Sequence, residues 1–171
     1  MKIVSRILVV LLFVSLALLT VFLGMGLMTP EEYKGSLGKE INASQDEIWS
    51  RLTDVENLPN IQEEIKSVEV LSTKDGYVDV WKEYTKRDYF MKLKTVERTP
   101  KTKLVTKIME TNIGLEGEWS YELENRGANK CYVRISENSK VTSLLMRSYM
   151  KFSGRDMYLK SEFEFFDSID D

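Results

Sequence analysis

The feature that most constrains this chain is an unbroken run of 22 uncharged, mostly apolar residues from Ile7 to Met28. Lys2 and Arg6 precede the run, and Glu31 follows it closely. As a helix, the run would be about 33 Å long, which is enough to cross the hydrocarbon core of a bilayer. The sequence therefore predicts one transmembrane helix at the start of the chain.

A cleaved signal peptide is the alternative interpretation, because Gly24 and Gly26 form a small-x-small pair that a signal peptidase could use. The apolar stretch of a signal peptide is usually shorter, about 7–15 residues. We therefore favour an uncleaved signal anchor over residues 1–29, followed by one domain over residues 30–171. Since the basic residues lie before the span, the N-terminus is expected to be cytoplasmic and the domain extracytoplasmic.

The residue types that the chain lacks exclude several kinds of site. It has no histidine, the commonest general base and metal ligand, and its one cysteine is Cys131. Serine–histidine and cysteine–histidine catalysis, an internal disulfide and a zinc cluster are therefore excluded. We interpret Cys131 as a small core residue and expect neither a metal nor a cofactor.

The charge balance also narrows the choice of partner. The chain has 27 acidic residues against 24 basic ones, and no arginine-rich run or basic face stands out, so nucleic acid is not expected as a partner. The C-terminal aspartates Asp167, Asp170 and Asp171 lack the spacing of a calcium loop.

The domain begins with a predicted strand, residues 34–41, and a helix whose start carries a capping box. Ser44 stands at the N-cap position and Glu47 three residues later, and Asn57 to Pro59 should end the helix. Residues 66–140 then alternate apolar and polar side chains repeatedly, with turn signals between the runs. Six antiparallel strands with one wet and one buried face are expected there.

The last thirty residues change to a helical period. Leu145, Tyr149, Phe152, Leu159, Phe163 and Phe166 fit one stripe of a long helix from about Thr142 to Phe166, which Gly154 could kink. The predicted fold is α+β: a seven-stranded antiparallel sheet wrapped around this helix, with two short helices after the first strand.

Two sequence motifs resemble those of one superfamily. The first runs from Ile41 to Pro59 and reads I-x-A-x(4)-I-W-x-x-L-x-D-x-x-N-x-P; the second is G-x-W-x-Y-E-L, from Gly117 to Leu123. With the order of elements, they resemble the START-like or SRPBCC superfamily, which includes pollen-allergen-like and polyketide cyclase/dehydrase-like proteins. The chain departs from the usual pattern at Ile61, where many relatives carry tryptophan. The resemblance implies a helix-grip fold enclosing an apolar cavity, which mostly binds lipids or other hydrophobic molecules.

The inward side of the predicted strands and helix supplies the candidate site residues. The expected cavity lining is Trp81, Tyr89, Met91, Leu93, Trp119, Tyr121, Tyr149 and Phe152. Extending the strand alternation also points Glu110 and Glu137 inward, where a raised pKa would suit acid–base chemistry. Arg147 could meet one of these acids at the cavity mouth or form an exposed salt bridge.

Three functions remain open from the sequence. The first is non-catalytic binding of a hydrophobic small molecule or lipid beside the membrane. The second is an enzyme of the cyclase or dehydratase type that uses Glu137 or Glu110. The third is an interaction module with a filled core that binds a protein on its outer sheet face.

Overall fold

The computed structural model describes residues 2–167, with side chains from residue 4 to residue 166. The tail aspartates Asp170 and Asp171 lie outside the described residues. The elements in chain order are α1 Lys2–Leu27, β1 Glu32–Ile41, α2 Gln45–Thr53, a 3-10 turn Val55–Asn57, α3 Leu58–Ile61, β2 Ile65–Lys74, β3 Tyr77–Thr85, β4 Phe90–Thr99, β5 Lys103–Thr111, β6 Leu115–Gly127, β7 Lys130–Val141, α4 Leu144–Ser153 and α5 Met157–Asp167.

Within the described residues, the strands form one seven-stranded antiparallel sheet in the order β1-β7-β6-β5-β4-β3-β2. Strands β2 to β7 each pair with their neighbours in sequence, whereas β1 joins the sheet beside the last strand. Ser36 of β1 lies opposite Ser136 of β7. This architecture confirms the predicted helix-grip fold.

Alternation along the strands places one set of side chains on the concave face of the sheet. In β6, Trp119, Tyr121 and Leu123 are buried, while Glu122 and Glu124 between and after them are exposed. Helix α5 packs over β1 and β7 and closes this side of the core. The side chains with no exposed surface here include Ile41, Ile48, Cys131, Val133, Ile135, Val141, Met150 and Phe166.

The predicted capping box starts α2. The Ser44 hydroxyl accepts from the backbone N–H of Glu47, and the Glu47 carboxylate accepts from the backbone N–H of Ser44 at 2.7 Å. Each bond satisfies an N–H that the helix itself leaves unpaired. The box fixes the start of α2, so that Ile48 and Trp49 face the core.

The C-terminal segment differs from the single long helix that its periodicity predicts. It consists of α4 and α5, separated at Gly154, whose φ of 102° is incompatible with a right-handed helix. The Arg155 guanidinium, directly after the break, donates to the backbone carbonyls of Pro30 and Glu32. The break changes the direction of the chain, so the predicted stripe is not one continuous buried face.

Helix α1 is exposed along most of its length and packs against α4 at its end. Among the described helices, Val4–Leu27 is long and apolar enough to cross a membrane, a property that anchors share with signal sequences. Gly26 lies close against α4. A Cβ atom there would lie 2.3 Å from the Ser148 hydroxyl and 2.6 Å from the Leu144 carbonyl oxygen.

This close approach predicts that Gly26→Val will separate α1 from α4. The Leu144 carbonyl is backbone and cannot move aside cheaply. We expect the amides of α4 to exchange about tenfold faster, which corresponds to about 1.4 kcal/mol of lost protection. Hydrogen-exchange mass spectrometry of the full chain would measure this change.

Gly24→Val is the matched control, because nothing lies within 4 Å of a Cβ atom at Gly24. It should leave the exchange of α4 unchanged. Equal acceleration by both variants would show that valine acts on α1 itself and not on the contact between the helices.

Candidate functional site: an acidic aromatic cavity

A cavity of about 910 Å³ lies between the concave face of the sheet and the helices. Its walls come from strands β3 to β6, from the segment from α2 to α3, and from α4 and α5. Ligand sites in proteins typically measure about 300–1,000 Å³. The space therefore suits a molecule of the size of a drug or a single lipid.

The structure places seven of the eight side chains predicted to line the cavity along its walls. They are Trp81, Tyr89, Met91, Leu93, Trp119, Tyr121 and Tyr149. Phe152 is the exception: it is 78% exposed and is not part of the lining. Its placement from the sequence was wrong because the apolar stripe was taken to face the core along its whole length, whereas the face of α4 that carries Phe152 is exposed.

Two carboxylates that the sequence reasoning missed, Glu83 and Glu162, also line the cavity. The Trp81 indole N–H donates to Glu83 at 2.7 Å, and the Tyr121 hydroxyl donates to Glu162 at 2.8 Å. Glu83 is only 8% exposed. Each acid is therefore held in place by an aromatic side chain: Glu83 by a residue of its own strand, and Glu162 of α5 by a residue of β6.

Burial shifts the titration of both acids in the same direction. It raises the pKa of Glu83 to about 7, although the Trp81 hydrogen bond lowers it and nearby Glu162 raises it further. Burial likewise raises the pKa of Glu162, and the Tyr121 hydrogen bond opposes this shift. At neutral pH Glu83 can therefore either donate or accept a proton.

Two tyrosines of the cavity, Tyr121 and Tyr158, are neutral hydrogen-bonding groups. Burial, with neighbouring Glu162, raises the pKa of Tyr121 well above its usual value. Burial, with Glu137 nearby, raises the pKa of Tyr158 to about 12. Both hydroxyls therefore keep their protons at physiological pH. Among the described residues, no three acidic or cysteine side chains are grouped so as to hold a metal ion.

Glu137 points inward, as the strand alternation predicts, but it lies outside the cavity lining. It is 2% exposed and accepts a hydrogen bond from Ser139, while its Oε2 has no partner among the described residues. Burial raises its pKa, and the Ser139 bond and the charge of Arg155 lower it. Glu137 is thus a buried acid without direct access to the cavity.

Glu110 faces outward, and its predicted inward placement was wrong. A β-bulge causes the difference: Leu93 pairs with Ile108, but Lys92 pairs with Glu110, so Met109 is an extra residue on β5. An extra residue reverses the faces of the strand beyond it. Glu110 therefore lies exposed on the outer side of the sheet.

Arg147 meets neither of the predicted acids. Its Nη1 atom lies 3.2 Å from the carboxylate of Glu31, in the segment between α1 and β1. This salt bridge ties α4 to the chain leaving α1.

The exposed lining residues show where the cavity meets solvent. They are Glu64, Arg87, Tyr89, Asn112, Leu145, Tyr149 and Ser161. The mouth is thus framed by α4 and α5 on one side and by the residue before β2 and the turns after β3 and β5 on the other. Elsewhere along the wall, Arg98 stacks on the rings of Tyr77 and Trp49, with centroid distances of 4.6 and 5.1 Å.

Several solved structures share this fold. A conserved protein from Geobacillus kaustophilus matches with a TM-score of 0.66 and 15% identity, covering 80% of this chain and 93% of its own. A START superfamily protein from Mycobacterium smegmatis matches with a TM-score of 0.60 and 15% identity, covering 77% and 97%. Norcoclaurine synthase from Thalictrum flavum, in complex with dopamine and hydroxybenzaldehyde, matches with a TM-score of 0.61 and 13% identity, covering 83% and 88%.

A search of curated proteins finds no match. The family model described as "polyketide cyclase / dehydrase and lipid transport" matches residues 41–160, which is most of the chain. The match includes both motifs that resemble the START-like superfamily. The chain therefore belongs to the polyketide cyclase / dehydrase and lipid transport family, and it shares its fold with a START superfamily protein.

Proposed function

We propose that the domain binds a hydrophobic small molecule or lipid, and that it does so beside a membrane in which α1 is retained. The observation that carries the proposal is the cavity of about 910 Å³, whose walls combine apolar and aromatic side chains with the carboxyls of Glu83 and Glu162. The alternative of a protein-interaction module with a filled core is not supported by a domain that contains this cavity.

The lining supports a ligand that is apolar over most of its length and polar at one position. Trp119, Met91 and Leu93 offer apolar contact area, which supplies most of the affinity in such sites. Glu83 and Glu162 offer hydrogen bonds to a hydroxyl or an amine of the ligand. In an apolar cavity, a few fixed polar groups determine the orientation of the ligand more than its affinity.

For the N-terminal segment we propose a retained anchor over residues 1–29, with the domain over residues 30–171. The span of α1 and the basic residues Lys2 and Arg6 before it support a cytoplasmic N-terminus. The domain would then face the outside of the membrane, where the cavity could take up or deliver its ligand.

The binding function predicts that an apolar molecule co-purifies with the detergent-extracted full chain. Mass spectrometry of an organic extract would detect it. Thr106 is a small, buried residue of the cavity wall, so Thr106→Trp should occupy part of the cavity and strongly reduce the co-purification. Ser120→Trp, at a half-exposed position on neighbouring β6 outside the cavity lining, is the matched control and should keep the molecule.

Recovery of the same molecule from the Thr106 variant at the level of the original chain would show that it binds elsewhere, for example in the detergent belt around α1. Recovery of no enriched molecule from the original chain would contradict the binding proposal.

A second candidate function, an enzyme of the cyclase or dehydratase type, is favoured by one observation: Glu83 lines the cavity with a pKa of about 7. A general acid or base works best with a pKa near the operating pH. The same extract separates the two functions. Glu83→Gln should retain the same molecule if the domain only binds, and a different, unconverted molecule if Glu83 performs chemistry.

A further inference from the structure

The chain passes from α1 into the domain through a segment that is fixed at several points. The Arg155 guanidinium donates to the carbonyls of Pro30 at 2.9 Å and Glu32 at 3.0 Å. Arg147 pairs with the Glu31 carboxylate, and the Val141 N–H donates to the Glu31 carbonyl at 2.9 Å. These contacts hold the segment that follows α1 against β7, α4 and the turn that precedes α5.

The position of α4 along α1 gives its depth relative to a bilayer. About 20 helical residues cross a hydrocarbon core of about 30 Å. Counted from Ile7, the first residue of the uncharged run, the crossing ends near Gly26. Helix α4 contacts α1 at Gly26 through Leu144 and Ser148. A bilayer around α1 would thus place α4 at the boundary between hydrocarbon and headgroups.

One face of α4 is apolar and exposed in the structure. Leu145 is 60% exposed, Tyr149 is 44% exposed and Phe152 is 78% exposed. Their spacing of four and then three residues places them on the same side of the helix. Leu27 and Met28, at the end of α1, are also exposed. The free face of α4 is therefore adjacent to the apolar surface of the proposed anchor.

We infer that α4 lies in the membrane interface with Leu145, Tyr149 and Phe152 inserted among the lipids that surround α1. Interfacial helices typically carry aromatic and leucine side chains on one face and basic residues on the other. In α4 the opposite face carries the exposed Lys151 and also Arg147, which pairs with Glu31. The inference rests on the proposed retention of α1 as an anchor.

The arrangement also assigns a route for the ligand. Leu145 and Tyr149 belong both to the exposed face of α4 and to the mouth of the cavity. With α4 in the interface, the mouth opens toward the lipid and not only toward water. An apolar molecule can then pass between bilayer and cavity without exposing its apolar surface to water, which would be unfavourable.

Depth-dependent fluorescence quenching of the full chain tests this inference. Leu145→Cys and Phe152→Cys would each be labelled with the fluorophore NBD and reconstituted into phosphatidylcholine vesicles containing 5-doxyl phosphatidylcholine. Lys66→Cys, at an exposed position of β2 on the opposite sheet edge, is the control. Cys131 has no exposed surface and should take up no label in the folded chain.

We expect the doxyl lipid to quench the labels at positions 145 and 152 at least about three times as strongly as the label at position 66. This is the result for a helix buried about 5–10 Å into the interface. Equal quenching at all three positions, in a chain that floats with the vesicles at full mass, would overturn the insertion of α4 while leaving the anchor intact. A blue-shifted label at position 152 that the doxyl lipid does not quench would also overturn it, because a protein surface would then cover α4.

Vesicle flotation distinguishes a failure of the inferred insertion of α4 from a failure of the proposed anchor. A chain of full mass that does not float with the vesicles, or a chain recovered only without residues 1–29, would remove the anchor and with it the placement of α4. The cavity and its proposed ligand would be unaffected by either result.

Discussion

Replacing Phe166 by alanine is expected to lower the free energy of unfolding by about 3–5 kcal/mol, the range for removing a fully buried phenylalanine. Phe166 lies in α5 with no exposed surface, and its ring meets the Phe165 ring edge-on at a centroid distance of 4.9 Å. No ligand space adjoins it, since Phe166 is not part of the cavity lining. Urea unfolding of the full chain in detergent, followed by tryptophan fluorescence, would measure the loss.

Phe152→Ala is the matched control, because Phe152 fits the same apolar stripe in the sequence but is 78% exposed. It should change the free energy of unfolding by no more than about 0.5 kcal/mol. Similar losses for the two variants would mean that the C-terminal segment is one continuous helix packed along its whole length, without the break at Gly154.

Glu83→Gln is expected to stabilise the protein at pH 8 by about 3 kcal/mol and to have little effect near pH 4.5. The pKa of Glu83 is about 7 in the folded chain and 4.5 for an unperturbed group. The folded state therefore binds more protons than the unfolded state between these values, and stability falls as the pH rises from about 4.5 to 7. Glutamine stays neutral, and its carbonyl oxygen can still accept from the Trp81 indole.

Urea unfolding of both proteins at several pH values between 4.5 and 8 would measure this difference. The original chain should lose stability across this range relative to the variant. Glu137 and Glu162, whose pKa values burial also raises, remain in both proteins, so both should keep part of the pH dependence. A constant difference between the two proteins at all pH values would contradict a raised pKa for Glu83.

Alternation and capping patterns sufficed to predict the sheet and the start of α2, because both depend on local spacing. In β6 the residues predicted to face inward, Trp119, Tyr121 and Leu123, are buried. The break in the C-terminal segment was harder to predict. A helix can continue through a glycine, so Gly154 alone does not predict a break. The contacts of Arg155 with Pro30 and Glu32 join parts of the chain that are more than 120 residues apart, which no local pattern reveals.

The candidate site was predictable where strands were regular. Glu83 could have been found, since it lies two residues after Trp81 on the same face of β3. The orientation of Glu162 depends on the direction that α5 takes after the break at Gly154. No local sequence pattern predicts that direction. Glu110 was misplaced because a bulge at Met109 leaves no distinct mark in the residue types.

The pairing of β1 with β7 has a consequence for the order in which the domain folds. Ser36 and Ser136 are hydrogen-bonded although 100 residues separate them, whereas strands β2 to β7 pair with sequence neighbours. Closing so long a loop costs more chain entropy than forming a hairpin. We expect β2 to β7 to assemble hairpin by hairpin. Strand β1 is synthesised before the other strands and remains unpaired next to α1 during this time. The sheet is then completed only after the C-terminal strand has been made, so a nascent chain truncated before β7 would leave β1 without a partner.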